Sequence, residues 1–209
     1  MYLVKTPGVV QPFSKRLLWK GDPEGGAVYL TFDDGPNPGV TDKVLDILDA
    51  FDAAATFFCI GGNVEKYPEL YAEMLQRGHA AGNHTWNHMN GRSFSDYSYF
   101  KNVLECARVV DSKLFRPPYG SMKLSQVKAI SKRYTIVMWD VLSADWRKEL
   151  SPERCLRNVT SAVEAGSVVV FHDSDKAAKN MLYTLPRVLE FLAEKGLKPR
   201  TLKGVKAAR

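Results

Sequence analysis

The sequence predicts an α/β fold on about seven parallel strands, either a (β/α) barrel with one unit missing or distorted or, as the competing architecture, an open parallel sheet. Three observations carry this reading. From Ala27 onward, short apolar runs alternate with amphipathic stretches of helical length. Five polar blocks, Asp33-Asp34, His84 with His88, Arg116 to Gly120, Asp140 to Trp146 and His172-Asp173, each follow a strand-like run, where a parallel fold gathers residues on one face. The chain's 209 residues, 45% of them hydrophobic, also fit one ordinary domain with a sizeable core.

Taken in order, residues 1–26 read as an irregular arm, with Pro7 and Pro12 breaking any apolar pattern. Residues 27–203 form the domain proper, and 204–209 a basic tail. Ala27 to Phe32 is the first strand, followed by a helix over Thr41 to Phe51 with Val44, Leu45, Leu48 and Phe51 on one face. Thr56 to Ile60 is a strand. Glu65 to Arg77 is a helix with Leu70, Met74 and Leu75 facing in, stopped by Gly78, and Gly78 to Gly82 is the next strand. The pattern continues with a long helix over Ser95 to Ser112, strand Leu114-Phe115, a short helix over Leu124 to Lys132 and strand Tyr134 to Met138. Ser151-Pro152-Glu153 supplies an N-cap, a first-turn proline and an acid favoured by the helix dipole, opening a helix that runs to Gly166. Strand Ser167 to Phe171, a helix over Leu182 to Lys195 and strand Leu197 to Leu202 complete the pattern.

The net charge of +6 is unevenly placed. Residues 1–20 and 195–209 hold ten of the 29 basic residues and no acid, leaving 19 basic against 23 acidic groups between them. A nucleic-acid groove needs cations clustered on the folded body with aromatics interleaved, so no nucleic-acid partner is expected. Cys59, Cys106 and Cys155 lie far apart in apolar or helical patterns and read as buried thiols. No stretch has the continuous apolar character of a secretory signal or a membrane span, so the expected location is the cytoplasm, with the cell envelope as the alternative were this a piece of a longer chain. Protein partners are not indicated.

His84 and His88 lie four residues apart, which on a helical turn puts both imidazoles within reach of one cation. Asp33-Asp34 after an apolar strand supplies a carboxylate to complete a three-ligand set, and a spare. An Asp-Gly-Pro turn with solvated acids explains Gly35-Pro36 well, but not why two acids follow so apolar a strand. Arg116-Pro117-Pro118-Tyr119-Gly120 joins a permanent charge to a stiff turn able to aim a backbone N–H at a developing oxyanion, or is a plain proline-rich loop. Asp140 to Trp146 offers acids and aromatic surface. His172 at a strand end suits a general acid kept protonated by a carboxylate. His79 lies inside a strand-like segment and reads as structural.

Thr-Phe-Asp-Asp-Gly-Pro, His-Thr-x-x-His, Arg-Pro-Pro-Tyr-Gly, Asp-Trp and His-Asp, in this order from about Val28 to Leu202, resemble the motifs of the polysaccharide deacetylases of carbohydrate esterase family 4, the NodB homology domain. The resemblance implies a distorted, TIM-barrel-like (β/α) barrel and metal-dependent removal of acetyl groups from a sugar. It implies Asp33 as general base, Arg116 holding that base ionised, and Asp34, His84 and His88 as ligands of a divalent ion, zinc before others. It further implies the Tyr119 backbone N–H as oxyanion donor, His172 as general acid oriented by Asp145, and Pro118, Tyr119, Trp146 and Val170 around the substrate. Two positions depart from the family pattern. Leu142 stands where an acid often precedes the Asp-Trp pair, and Val170 where leucine is common; both bear on substrate preference rather than on the catalytic groups.

The implied reaction is hydrolysis of N-acetylated sugars in chitooligosaccharide, peptidoglycan or a related envelope polymer, releasing acetate. Alternatives are an O-acetyl esterase of the acetylxylan type, a hydrolase of small non-peptide C–N bonds on the same scaffold, and a non-catalytic glycan-binding domain.

Overall fold

A computed structural model describes residues 3–6 and 16–205. Residues 1–2 and 7–15 of the expected arm, and 206–209 of the expected tail, lie outside the described residues. Among the described residues, nine strands, all paired parallel, curl into one sheet: β1 (Leu17–Leu18), β2 (Ala27–Asp33), β3 (Thr56–Cys59), β4 (Ala80–Asn83), β5 (Leu114–Phe115), β6 (Thr135–Val137), β7 (Val141–Leu142), β8 (Val168–His172) and β9 (Lys198–Pro199). Their order is β1-β6-β5-β4-β3-β2-β8-β7, with β9 added beside the start of β2. Strands β6 and β7 are nearly continuous in sequence yet stand toward opposite ends of this path, so Met138 to Asp140 carries the chain across the seam of a distorted barrel. Lys5 bridges antiparallel to Val141, and Lys20 to Ser167.

The helices are α1 (Thr41–Ala50), α2 (Gly61–Lys66), α3 (Pro68–Gln76), α4 (Asp96–Cys106), α5 (Leu124–Ile130), α6 (Pro152–Thr160) and α7 (Ala178–Glu194). Strand alternation divides the core. On β2 the side chains of Val28, Leu30 and Phe32 join Val44, Leu45 and Leu48 of α1 and Met181, Leu185, Val188 and Leu192 of α7 in the layer outside the barrel. Ala27 and Tyr29 alternate inward and meet Leu18, Phe58, Leu114, Val137, Val168 and Leu202. A third cluster seats Tyr99, Val103 and Ile130 of α4 and α5 on Phe115 and Ile136. All three cysteines are free and buried. No helix among the described residues is long and apolar enough to cross a membrane.

Several boundaries depart from the sequence reading. Leu17–Leu18 is a strand inside the stretch expected to be irregular, and Val141–Leu142 is a strand inside the fourth polar block. The single helix expected over Glu65 to Arg77 is two helices, because Pro68 has no N–H to continue α2 and Tyr67 leaves helical angles (φ −130°, ψ 57°). The helix from Ser95 stops at Cys106, and Ser112 then commits the chain to β5, its hydroxyl donating to the Ala81 carbonyl (2.6 Å) and accepting the Leu114 N–H (3.0 Å). Helix α6 ends at Thr160, where the Thr160 and Ser161 hydroxyls bond back to the carbonyls of Leu156 and Arg157 instead of the helix running on to Gly166. Helix α7 begins a turn before Leu182, because polar Asn180 turns inward to the Asp145 loop. Only Lys198–Pro199 of the expected last strand pairs as one; Leu202 instead fills the barrel base.

Candidate active site

The C-terminal ends of β2, β4, β5 and β8 bring the predicted groups together, and each is held by a local cause. Asp33 ends β2 pointing into the barrel and is buried. Arg116, following β5, is fully buried: its Nη1 donates to Asp33 Oδ1 at 2.7 Å and to Thr31 Oγ1 at 2.8 Å. Nη2 and Nε donate to the carbonyls of Met138 (3.0 Å) and Val137 (3.3 Å), while Cζ lies 4.1 Å from the centre of the Phe58 ring. Burial pushes the Asp33 carboxyl up, but the charges of Arg116, His84 and His172 together with the Arg116 hydrogen bond outweigh it and hold the group below its ordinary value. The repulsion of two adjacent aspartates is thus relieved at Asp33 by a fixed guanidinium.

His84 and His88 do not share a helical turn. Thr85 and His88 both take left-handed angles (φ 65° and 59°), and side-chain oxygens capture the N–H groups a helix would use. Asn83 Oδ1 accepts from Thr85 N (2.9 Å), Asn102 Oδ1 from Trp86 N (2.9 Å), and Thr85 Oγ1 from Met89 N (3.0 Å). The loop still brings both imidazoles to Asp34. Nε2 of His88 lies 3.3 Å and Nε2 of His84 3.8 Å from Asp34 Oδ1, and one ligand atom from each of the three residues fits within 4.8 Å. His84 Nδ1 lies 2.8 Å from the Arg116 carbonyl. A carbonyl only accepts, so Nδ1 carries the proton and Nε2 keeps its lone pair. Burial drives the His84 pKa down to about 4 against the pull of Asp33 and Asp34, which keeps the ring in its ligating form. Asp34 Oδ1 is buried without a hydrogen-bond partner. Two imidazole donors and a carboxylate oxygen without a hydrogen-bond partner at this spacing fit a three-ligand divalent-metal centre.

Pro117 and Pro118 stiffen the turn after Arg116, and Tyr119 takes a left-handed φ of 59°. Pro118 is buried; the Tyr119 ring is exposed and meets His88 edge-on, centroids 4.5 Å apart. A Cβ on Gly120 would come within 2.5 Å of the Trp139 ring, so the turn requires glycine there.

His172 ends β8, its Cα paired with that of Asp33 on β2. Asp145, fully buried, holds it twice: Oδ1 lies 2.8 Å from His172 Nδ1, and Oδ2 accepts the His172 backbone N–H at 2.8 Å. Burial opposes charge on this imidazole, but Asp145 prevails and raises its pKa to about 9. The sequence neighbour Asp173 serves elsewhere, its Oδ2 accepting from Thr41 Oγ1 at 2.6 Å. Trp146 meets His172 edge-on at 4.9 Å between centroids. Val170 lies two residues below His172 on the same strand face and is buried beside Leu142, its Cα partner on β7.

Two groups lie outside the cluster. Asp140 sits beside Ser167, just before β8 begins, where its Oδ2 accepts from Ser167 Oγ (2.7 Å) and lies 3.4 Å from Lys5 and 3.8 Å from Lys20. His79 is buried with its ring against Phe57 and accepts the Ala55 N–H, in keeping with a structural histidine. Sequence reasoning missed Thr31, Asn37, Asn63 and Asn180, which grip the site groups or the loops that carry them; Thr31, Asn63 and Asn180 meet partners from distant segments, so no local spacing marks them, whereas Asn37 bonds the Asp34 carbonyl three residues before it.

A parallel barrel with a paired carboxylate, a three-donor cluster and a carboxylate-bound imidazolium at its strand ends has the organisation of a barrel hydrolase. The polysaccharide deacetylase family pattern matches residues 20–139, and the chain belongs to that family. It is 33% identical over 183 residues to a peptidoglycan-N-acetylglucosamine deacetylase of Bacillus cereus, covering 84% of this chain and 66% of the relative. It is 35% identical over 162 residues to a chitooligosaccharide deacetylase of a Bradyrhizobium species, covering 73% of this chain and 74% of the relative. Among solved structures, the Bc1960 peptidoglycan N-acetylglucosamine deacetylase, in complex with an N-hydroxybenzamide, superposes with a TM-score of 0.87 at 29% identity, covering 97% of this chain and all of that one.

Proposed function

We propose that this protein is a metal-dependent deacetylase of N-acetylated amino sugars in a cell-wall glycan or its fragments, releasing acetate and a free amine. The observation that carries the reading is the meeting, on one strand-end face, of Asp33 bonded to the Arg116 guanidinium, the Asp34–His84–His88 donor cluster and His172 clasped by Asp145. Relatives named for peptidoglycan and chitooligosaccharide deacetylation direct it to glycan amides.

Asp34, His84 and His88 would hold the ion, for which zinc suits two imidazoles and a carboxylate. When bound, such an ion acidifies water from a pKa of about 15.7 towards about 7 and polarises an acyl oxygen. Asp33, kept ionised by Arg116, takes the proton of the attacking water. The Tyr119 N–H, held by its proline-stiffened turn, donates to the developing oxyanion, a contribution on the order of 3 kcal/mol for one good donor. His172, protonated and fixed through Nδ1 and its own backbone by Asp145, presents Nε2–H to the departing nitrogen. Trp146, Tyr119, Pro118 and Val170 bound the space for the sugar and acetyl group.

The test is acetate release from a panel of N- and O-acetylated oligosaccharides, with metal-stripped and zinc-restored protein side by side. Zinc-dependent acetate from N-acetylated members is expected. Release confined to O-acetylated members would make the protein an esterase, and no acetate from any sugar would refute the reading.

A further inference from the structure

The backbone carbonyl of Asp34 is gripped more firmly than its carboxylate. It accepts Asn63 Nδ2–H at 2.8 Å and Asn37 Nδ2–H at 3.2 Å. Asn37 is itself fixed: Nδ2 also donates to the Asp173 carbonyl at 2.7 Å, and its backbone N–H donates to Thr41 Oγ1 at 2.8 Å. Asn63 comes from α2, whose first two amides donate to the carbonyls of Thr85 (3.0 Å) and Trp86 (2.9 Å) in the histidine loop. Ile60 N–H closes the assembly on the Gly35 carbonyl at 3.0 Å.

Such a grip has a reason. Asp34 holds φ at 83°, a conformation that side-chain-bearing residues avoid, and its Oδ1 makes no hydrogen bond to the protein. The carboxylate therefore inherits its direction from the peptide on which it hangs. We propose that Asn63 and Asn37 are positioning residues for the cation centre, their side-chain amides holding the Asp34 peptide in its left-handed turn and so aiming its carboxylate at the Nε2 atoms of His84 and His88. This inference rests on the metal centre proposed above. It also ties that centre together: Asn63 links Asp34 to the element seated on the histidine loop, and Asn37 links it to the strand that carries His172.

Cobalt titration of metal-stripped protein, read by its visible absorption bands, tests the inference separately from turnover. The wild type is expected to bind one Co²⁺. Asn63→Ala and Asn63→Leu, the latter keeping the branched shape without a donor, are expected to bind it about tenfold more weakly or worse, the scale of losing an outer partner of a ligand, with altered bands. Their metal-free thermal midpoints should fall by no more than about 4 °C, as for loss of one hydrogen bond in a domain this size. Cobalt bound by neither wild type nor variant would overturn the metal-centre reading itself. Cobalt bound by the wild type and equally tightly, with the same bands, by a folded Asn63 variant would overturn the positioning role alone; Asn63→Leu serves where the cavity left by alanine prevents folding.

Discussion

Replacing Asp145 by asparagine tests how the barrel keeps a proton on His172. The carboxylate satisfies two donors at once, Nδ1–H of the ring and N–H of the backbone, each at 2.8 Å. An amide of the same shape cannot do both. With its oxygen toward the ring, its NH2 faces the backbone N–H; with its oxygen toward the backbone, its NH2 needs an unprotonated Nδ1. Either choice disfavours the imidazolium, and burial, which already opposes charge there, then pushes the pKa from about 9 to the ordinary 6.5 or below. With an acid of pKa 9, about 90% is protonated at pH 8; at 6.5 only about 3% is, so turnover should fall about 30-fold at pH 8 but only about 1.3-fold at pH 6. The assay is kcat/KM for acetate release between pH 5.5 and 10. An Asp145→Asn enzyme whose alkaline limb stays near pH 9 would refute the account of how His172 is kept charged.

The same pair has a stability signature of fixed sign. His172 has a raised folded pKa, so its contribution is complete below pH 6.5 and is lost as pH rises through about 9; the melting difference between wild type and Asp145→Asn should shrink over that window. Asp33→Asn should keep zinc, measured by metal content after dialysis, yet lose at least about 10²-fold in kcat, the low end of what a general base supplies, whereas His84→Ala should lose metal and activity together. Trp146→Ala should raise KM or lower kcat on every active glycan; unchanged kinetics would remove the ring from the substrate space. Phe32→Ala, which empties a position stacked on Phe57 (4.9 Å) and near Phe171 (5.7 Å), should cost about 3–5 kcal/mol in urea unfolding.

The blocks that end strands were legible because parallel topology makes sequence position a proxy for place: Asp33, Asp34, His84, Arg116 and His172 all meet although they are spread over most of the chain. The i, i+4 spacing of His84 and His88 pointed to two imidazoles that do approach one another, centroids 5.1 Å apart, but for a partly wrong reason. Three side-chain acceptors dismantle the helical turn, and the imidazoles converge from a loop instead. Pro68 could have signalled the break between α2 and α3, since its missing N–H is written in the sequence. Strands β1 and β7 could not be read, because neither sits in the strand-helix alternation that marked the equally short β5, and their pairing is decided by how the barrel closes. Asn37 and Asn63 were invisible for another reason: Asn63 meets a backbone carbonyl 29 residues away, and Asn37, though it bonds the nearby Asp34 carbonyl, is fixed by the remote Asp173 carbonyl as well.

Asp33 and His172 stand at the same level on adjacent strands, so the backbones that carry the group proposed to take a proton and the group proposed to return one are held about 4.8 Å apart by the ladder rather than by any loop. Loops around the mouth can then be lengthened, shortened or exchanged to admit a different chain of sugars without retuning the proton transfer. A library that randomises residues 89–95 and 146–150 while leaving the strand ends and His88 untouched would exploit that separation, turning one chemical step toward many glycans.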